Sequence, residues 1–195
     1  MPRAPRSSYL ADGNYYHVIS RSINQTPIIR DPEDFARVRT LEQAAKQQFP
    51  VRLFHYVFMT THFHFVLQTV RAADLALHLR HLKWHYTLWM RKKYGWKGPI
   101  WRERYRSIPI EDEAYLSACG LYVELNPVRA GLCSVTSDYA FSSARKYELG
   151  HRDDLLDEYY PAPVAEPLAA AARNPLVADL LFTGIDRVTI PAAVH

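Results

Sequence analysis

Cysteine is nearly absent from this chain. Cys119 and Cys133 are the only two, and they offer neither a disulfide framework nor a metal-ligand spacing. Small buried thiols in a reducing cytoplasm are the expectation that follows. Long hydrophobic runs are missing as well, and no stretch approaches the length of a membrane span. Met1 to Arg6 is basic but holds no apolar segment of the kind a secretory signal needs, so no export is expected. There is no internal repeat, and the only low-complexity block is the short run Ala169 to Ala172. Together these absences exclude a disulfide-stapled scaffold and a membrane-spanning protein. The 195 residues are 48% apolar and 13% aromatic, enough to bury one substantial core, which excludes a disordered chain.

The net charge of +4 is mild, but its placement is uneven. From Arg71 to Arg106 the basic residues are Arg71, Arg80, Lys83, Arg91, Lys92, Lys93, Lys97, Arg102, Arg104 and Arg106, against the acids Asp74 and Glu103. All four tryptophans, Trp84, Trp89, Trp96 and Trp101, lie in the same stretch. Basic side chains neutralise phosphates and exposed aromatic faces stack unpaired bases, so the combination favours nucleic acid. The bland alternative is that Trp84 and Trp89 are core and the charges coat a solvated helix. From His151 to His195 the balance reverses to three basic residues against seven acids, with five prolines. We read residues 1–150 as one catalytic domain and 151–195 as an acidic, Ala- and Pro-rich extension.

The segment Tyr56-Val57-Phe58-Met59-Thr60-Thr61-His62-Phe63-His64-Phe65-Val66-Leu67 has strand character. Side chains at i and i+2 of a strand share a face, so His62 and His64 stand side by side with Phe63 opposite. Two imidazoles in that arrangement are half of a metal site and need a third ligand from elsewhere. A second segment, Tyr122 to Gly131, places Tyr122 and Asn126 one helical turn apart on a shared face.

The order of elements follows from pattern and punctuation. Tyr15 to Ser22 reads as a strand. Asp31-Pro32-Glu33 opens a helix to about Gln48, with Asp31 as N-cap, Pro32 at N1 and Phe35, Val38, Leu41 and Ala45 on its apolar face. Val51 to Met59 and His62 to Thr69 read as a hairpin. Ala73 to Tyr94 is a long helix with Leu75, Leu79, Leu82, Tyr86 and Trp89 near one stripe. Tyr105 to Ile110 is a fourth strand. A third helix, opened by Glu111-Asp112-Glu113 and ended by Pro127, carries Tyr115, Tyr122 and Asn126. The order β-α-β-β-α-β is the ferredoxin-like split pattern, an α+β fold with a four-stranded antiparallel sheet and helices on one face. The third helix is then an addition that can carry Tyr122 to the histidine pair.

These residues carry a resemblance. Over about Tyr9 to Gly150 the chain resembles the REP-associated tyrosine transposases, in the single-tyrosine branch of the HUH nucleases. The matching pieces are Tyr16-His17-Val18 with Ser20-Arg21, Tyr56-Val57-Phe58-Met59 leading into His62-Phe63-His64, and Ile100-Trp101-Arg102-Glu103-Arg104-Tyr105. Ala114-Tyr115-Leu116, Tyr122 through Leu132 and Ser142-Ser143-Ala144-Arg145 complete them. The chain differs in having Thr60-Thr61 where the family commonly has Pro-Asn before the first histidine, Arg21-Ser22 for Arg-Gly, and Phe141 for a tryptophan.

The resemblance implies that His62 and His64 bind the metal, that Asn126 is the third, amide-bearing ligand, and that Tyr122 is the nucleophile. It implies a divalent ion, Mg²⁺ or Mn²⁺, and single-stranded or hairpin DNA as partner. The product is a 5′-phosphotyrosine with a free 3′-OH, a reversible transesterification that needs no ATP. An ordinary tyrosine hydroxyl titrates near 10, so Tyr122 needs activation. The DNA contacts expected are Arg21, Arg80, Lys83, Arg91, Lys92, Lys93, Trp101, Arg102, Arg104 and Arg129. A monomer and a homodimer both stay open.

Other residues weigh less. Tyr115, seven positions before Tyr122, is the second choice of nucleophile. Glu124 reads as a helix-surface acid. His78, His81 and His85 read as a solvated or DNA-facing stripe, and His17 and His55 as strand residues without catalytic duty. Three functions survive: a metal-dependent DNA strand transferase, a non-cutting hairpin-binding module of the same fold, and a metal-dependent hydrolase unrelated to DNA.

Overall fold

The computed structural model describes residues 10–158. The four strands are β1 (Tyr15–Arg21), β2 (Val51–Phe58), β3 (His62–Thr69) and β4 (Arg106–Ile110). They form one antiparallel sheet in the order β2-β3-β1-β4, as the split β-α-β pattern requires. The helices are α1 (Pro32–Gln48), α2 (Ala72–Tyr94), α3 (Glu113–Arg129) and α4 (Ala144–Leu149). None of the helices described is long and apolar enough to cross a membrane.

The N-cap expected at Asp31 is present. Asp31 accepts the Asp34 N–H at 2.9 Å with Pro32 in the first turn, and α2 closes on Gly95 in the left-handed region at φ 62°. Asp112 caps α3 by accepting the Tyr115 N–H at 2.7 Å. The helix that Pro127 was expected to end instead runs on to Arg129. Proline removes one helical hydrogen bond, here the one due to Val123 O. The Asn126 side-chain amide covers the gap, donating to Tyr122 O at 2.8 Å and to Val123 O at 3.3 Å.

Strand alternation sorts the sheet into two faces. Phe63, Phe65 and Leu67 of β3 join Tyr16, Val18, Leu53, Tyr56 and Phe58 in the main core under α1 and α2. The other face, with Val57 and Val66, packs against Tyr115, Leu116, Cys119, Tyr122 and Val123 of α3. The helices therefore lie on both faces, α1 and α2 on one and α3 on the other. Strand β2 carries a bulge between Leu53 and His55, which lets Leu53, Tyr56 and Phe58 all reach the main core.

Two expectations about helix faces change. His78 is not on a solvated stripe but fully buried, bonded to Glu42 Oε1 at 2.9 Å and to Phe49 O at 3.1 Å. Burial opposes its protonation, yet the Glu42 carboxylate outweighs burial and raises its pKa. His81 and His85 remain together on the partly exposed side, with ring centroids 4.4 Å apart. Trp84 is not core; it is 57% exposed.

The outer edge of β2 is covered. Phe58 N donates to Phe141 O at 2.8 Å and Ser143 N to Tyr56 O at 2.9 Å. Further along, Asp157 N donates to Leu53 O at 2.8 Å and Leu53 N donates to the Asp157 carboxylate at 2.7 Å. Asp153 binds Arg39 and Tyr56, and Leu155 and Leu156 enter the main core. The folded unit thus runs past the boundary expected at Gly150; the rest of that extension, with its alanine run, lies outside the described residues. The opposite edge, β4, carries Pro109, at a kind of position where a sheet tolerates proline.

Helix α3 lies very close to β2. A Cβ on Gly120 would stand 2.7 Å from both Cδ2 and Cε1 of the His55 ring. Gly120→Val is expected to cost about 1–3 kcal/mol through overpacking, read as a lower urea midpoint with an unchanged slope.

Candidate active site

The site is built where the end of β3 meets α3. His62 and His64 share the α3-facing side, with ring centroids 5.0 Å apart and planes near perpendicular. Tyr122, 2% exposed, stands edge-on to His64 at 5.8 Å. Asn126 is one turn further along α3 and 5% exposed. The structure therefore brings His62, His64 and Tyr122 together, with Asn126 on the same helix.

His17, read from sequence as a strand residue without catalytic duty, stands in the same group of rings. Its Cα is paired with Val66, next to His64, and its Nε2 lies 2.9 Å from His64 Nδ1. Its ring stacks on His64 at 5.1 Å and meets Tyr122 edge-on at 5.7 Å. The signal that finds it is cross-strand register, since β1 and β3 run antiparallel and adjacent.

The two histidines are oriented through their Nδ1 atoms. Thr61 Oγ1 shares a hydrogen bond of 3.1 Å with His62 Nδ1, and His17 does so with His64 Nδ1. Nε2 is then the atom through which each ring would ligate a cation. Among the described residues no three His, Cys, Asp or Glu side chains are grouped to hold a metal ion. A third protein ligand would then be of another kind, and the Asn126 amide is of a type that could serve. Its nitrogen is committed to the helix carbonyls, which leaves the oxygen as its ligand atom. Two imidazoles and an amide oxygen suit a divalent ion of the Mg²⁺ or Mn²⁺ type.

Charge around the site is positive. Arg129 lies over the Tyr122 ring at 5.2 Å, and Arg21 is the cross-strand partner of His62. The His64 pKa is pulled well down, first by complete burial and then by His62, His17, Arg21 and Arg129. Such an imidazole stays neutral, the form a metal ligand needs.

Behind α3, Glu124 is buried rather than on the helix surface. Its Oε1 accepts from Ser143 Oγ at 2.7 Å and lies 2.7 Å from His55 Nδ1. Tyr115 is packed in the α3 core beside Cys119, and burial raises its pKa. It stands two helical turns before Tyr122 on α3 and serves packing.

The expected DNA contacts divide by exposure and partners. Arg80, Arg91, Lys92, Arg102, Arg104 and Arg129 are exposed, and Arg21 and Trp101 are half-buried. Lys83 and Lys93, expected to contact DNA, are both engaged within the fold. Lys83 donates to Glu103 O and Arg104 O. Lys93 is held by Asp31, Glu33 and Asp34, and it brings the Asp31 carboxyl down to about 2.

The low pKa of His64 has a stability consequence. The unfolded chain takes up a proton near pH 6.5 that folded His64 refuses, so stability falls as pH drops below that value. His78 acts with the opposite sign: its contribution is complete below about 6.5 and lost as pH rises through its raised folded value. In protein stripped of divalent ions, His64→Gln is expected to flatten the acid-side fall in urea midpoint between pH 7.5 and 5.5. An unchanged slope would show that His64 is not held neutral.

Known proteins share the family and the fold. The sequence model described as "Transposase IS200 like" matches residues 11–126. A solved structure of a REP-associated tyrosine transposase bound to a REP hairpin is similar in fold, with a TM-score of 0.65 and 20% identity. That match covers 85% of this chain and all (100%) of the other. A proposed transposase from Deinococcus radiodurans R1 matches more distantly, at a TM-score of 0.43 and 14% identity over 68% of this chain and 92% of that one. No curated protein matches the sequence. The family match spans more than half of the chain and contains both histidines, Tyr122 and Asn126: the chain belongs to the IS200-like transposase family.

Proposed function

We propose that this protein cleaves and rejoins single-stranded DNA beside a hairpin through a covalent bond to Tyr122. The observation that carries the reading is Tyr122 on α3, 5.8 Å from the ring of His64 in the His62–His64 pair. The fold shared with a transposase that binds a REP hairpin supports a hairpin as the neighbouring DNA element.

The chain's own residues account for most of the chemistry. The Tyr122 hydroxyl oxygen attacks the scissile phosphorus in line, and the bond from phosphorus to the 3′ oxygen breaks. The tyrosine proton is lost, the 3′ oxygen leaves and takes up a proton, and the 5′ phosphate stays on Tyr122. One phosphoester replaces another, so a second 3′-OH can reverse the step and join new ends. Arg129 and Arg21 offer positive charge where the phosphate has to sit. Asn126, fixed by its bonds to Tyr122 O and Val123 O, and the two histidines would hold Mg²⁺ or Mn²⁺. A bound divalent ion would polarise the phosphate and neutralise charge developing on it.

The test is a denaturing gel with a labelled single-stranded oligonucleotide that carries a hairpin from the protein's own genome. Wild-type protein is expected to give a band that survives denaturant with Mn²⁺ and disappears with EDTA. Tyr122→Phe is expected to lose that band while its hairpin affinity stays within about tenfold, the most that a hydrogen bond of ~0.5–1.5 kcal/mol contributes. A covalent band in Tyr122→Phe would show that another residue attacks. Binding without any covalent band, over several hairpins and both ions, would leave the protein a non-cutting binder.

A further inference from the structure

On the sheet face away from the histidines, α2 and the segment 101–105 enclose a cleft of about 550 Å³. Its lining includes Arg80, Lys83, Trp84, Trp101, Glu103 and Arg104. The size is within the range of about 300–1,000 Å³ typical of small-ligand pockets.

The cleft is a built feature. Trp101 Nε1 donates to Thr87 Oγ1 at 3.0 Å and to Lys83 O at 3.1 Å, which pins the indole to α2. The Lys83 ammonium bonds the carbonyls of Glu103 and Arg104 and lies 4.8 Å from the Trp101 ring centroid. The far wall is therefore clamped to the helix. Trp84 is the exception, a large aromatic side chain left 57% exposed on the cleft lining. Arg80 and Arg104 are exposed beside it, with Glu103 as the lone acid among the lining residues.

The cleft is also tied to the active-site end of the sheet. Phe63, the residue between His62 and His64, meets Trp101 edge-on at 5.9 Å. Arg102 N donates to Arg21 O at 3.0 Å, and Arg21 is the cross-strand partner of His62. Trp101 of the cleft wall and the histidine pair thus sit on opposite sides of β3. Arg21, Arg102 and Arg104 put positive charge along the short stretch of chain between them.

We propose that this cleft receives an unpaired base from the single strand flanking the hairpin, stacked on Trp84, with its phosphates at Arg80 and Arg104. The proposal rests on the DNA reading above and adds a second point of attachment for the strand, outside the cutting site. A flat indole with guanidinium groups beside it fits a base and its anionic backbone, and stacking accepts any base.

The test is binding by fluorescence anisotropy at fixed salt, using a hairpin with a single-stranded flank and the same hairpin without one. Trp84→Ala is expected to weaken the flanked hairpin about tenfold, within the effect of one lost base–aromatic stack. It is expected to leave the blunt hairpin within about twofold, and Trp84→Phe should restore most of the loss. An abasic site scanned along the flank should find one position where wild type loses the same factor and Trp84→Ala loses nothing more.

Equal loss on both hairpins, or no loss on either, would overturn the proposal. So would a Trp84→Ala variant that changes only the mass in solution, which would mark the cleft as a contact between copies. The covalent-band assay on the flanked hairpin separates this proposal from the strand-transfer reading. A band with no Trp84 effect removes the cleft alone. A Trp84 effect with no band removes the chemistry and keeps the cleft. Wild-type protein that binds neither hairpin overturns both.

Discussion

The seating of α3 on the open face of the sheet is the constraint on which the site depends. The histidines belong to the sheet and the tyrosine to the helix, so their separation is set by how closely the two approach. Gly120 permits that approach by leaving room for the His55 ring. His55 and Ser143 then hold Glu124, two residues beyond Tyr122, from β2 and from the start of α4. A buried carboxylate without partners would push the helix away, whereas one with two partners fixes its height and rotation. The bulge in β2 belongs to the same arrangement. Without the bulge, regular alternation from Leu53 would point His55 into the main core.

Burying three imidazoles on one sheet face is costly, and the structure offsets that cost by linking them. His17 and Thr61 each engage one histidine through Nδ1. The rings are thereby aligned in advance, which would lower the reorganisation needed to bind an ion. Asn126 is prepared in a related way. Its neighbour Pro127 leaves a helix carbonyl short of a donor, and the amide that supplies it is fixed in doing so. A proline that looks like a helix terminator is, in this setting, what gives the asparagine its orientation.

Much of this was legible in the sequence, because it rests on local periodicity. The i, i+2 spacing of His62 and His64, the i, i+4 spacing of Tyr122 and Asn126, and the capping residue Asp31 all act within a few positions. The element order was enough for the sheet, since few topologies accommodate β-α-β-β-α-β. What was not legible depends on register between distant segments. His17 joins the site only because β1 lies next to β3, and His78 leaves the surface only because α1 brings Glu42 to it. The same holds for Lys93: it reads as a surface charge until the three acids of the α1 start meet it.

The covering of the sheet edges bears on how copies of the chain can meet. Residues 141–143 and Asp157 occupy the backbone groups along the outside of β2, and β4 presents a proline on the opposite side. An exposed strand is ordinarily an invitation for another chain to pair with it, the route to fibres and to continuous sheets. Here one rim is already taken by the chain itself and the other is blunted. Joining of copies strand to strand through the β2 rim is therefore closed, and through the β4 rim it would lack the donor at Pro109.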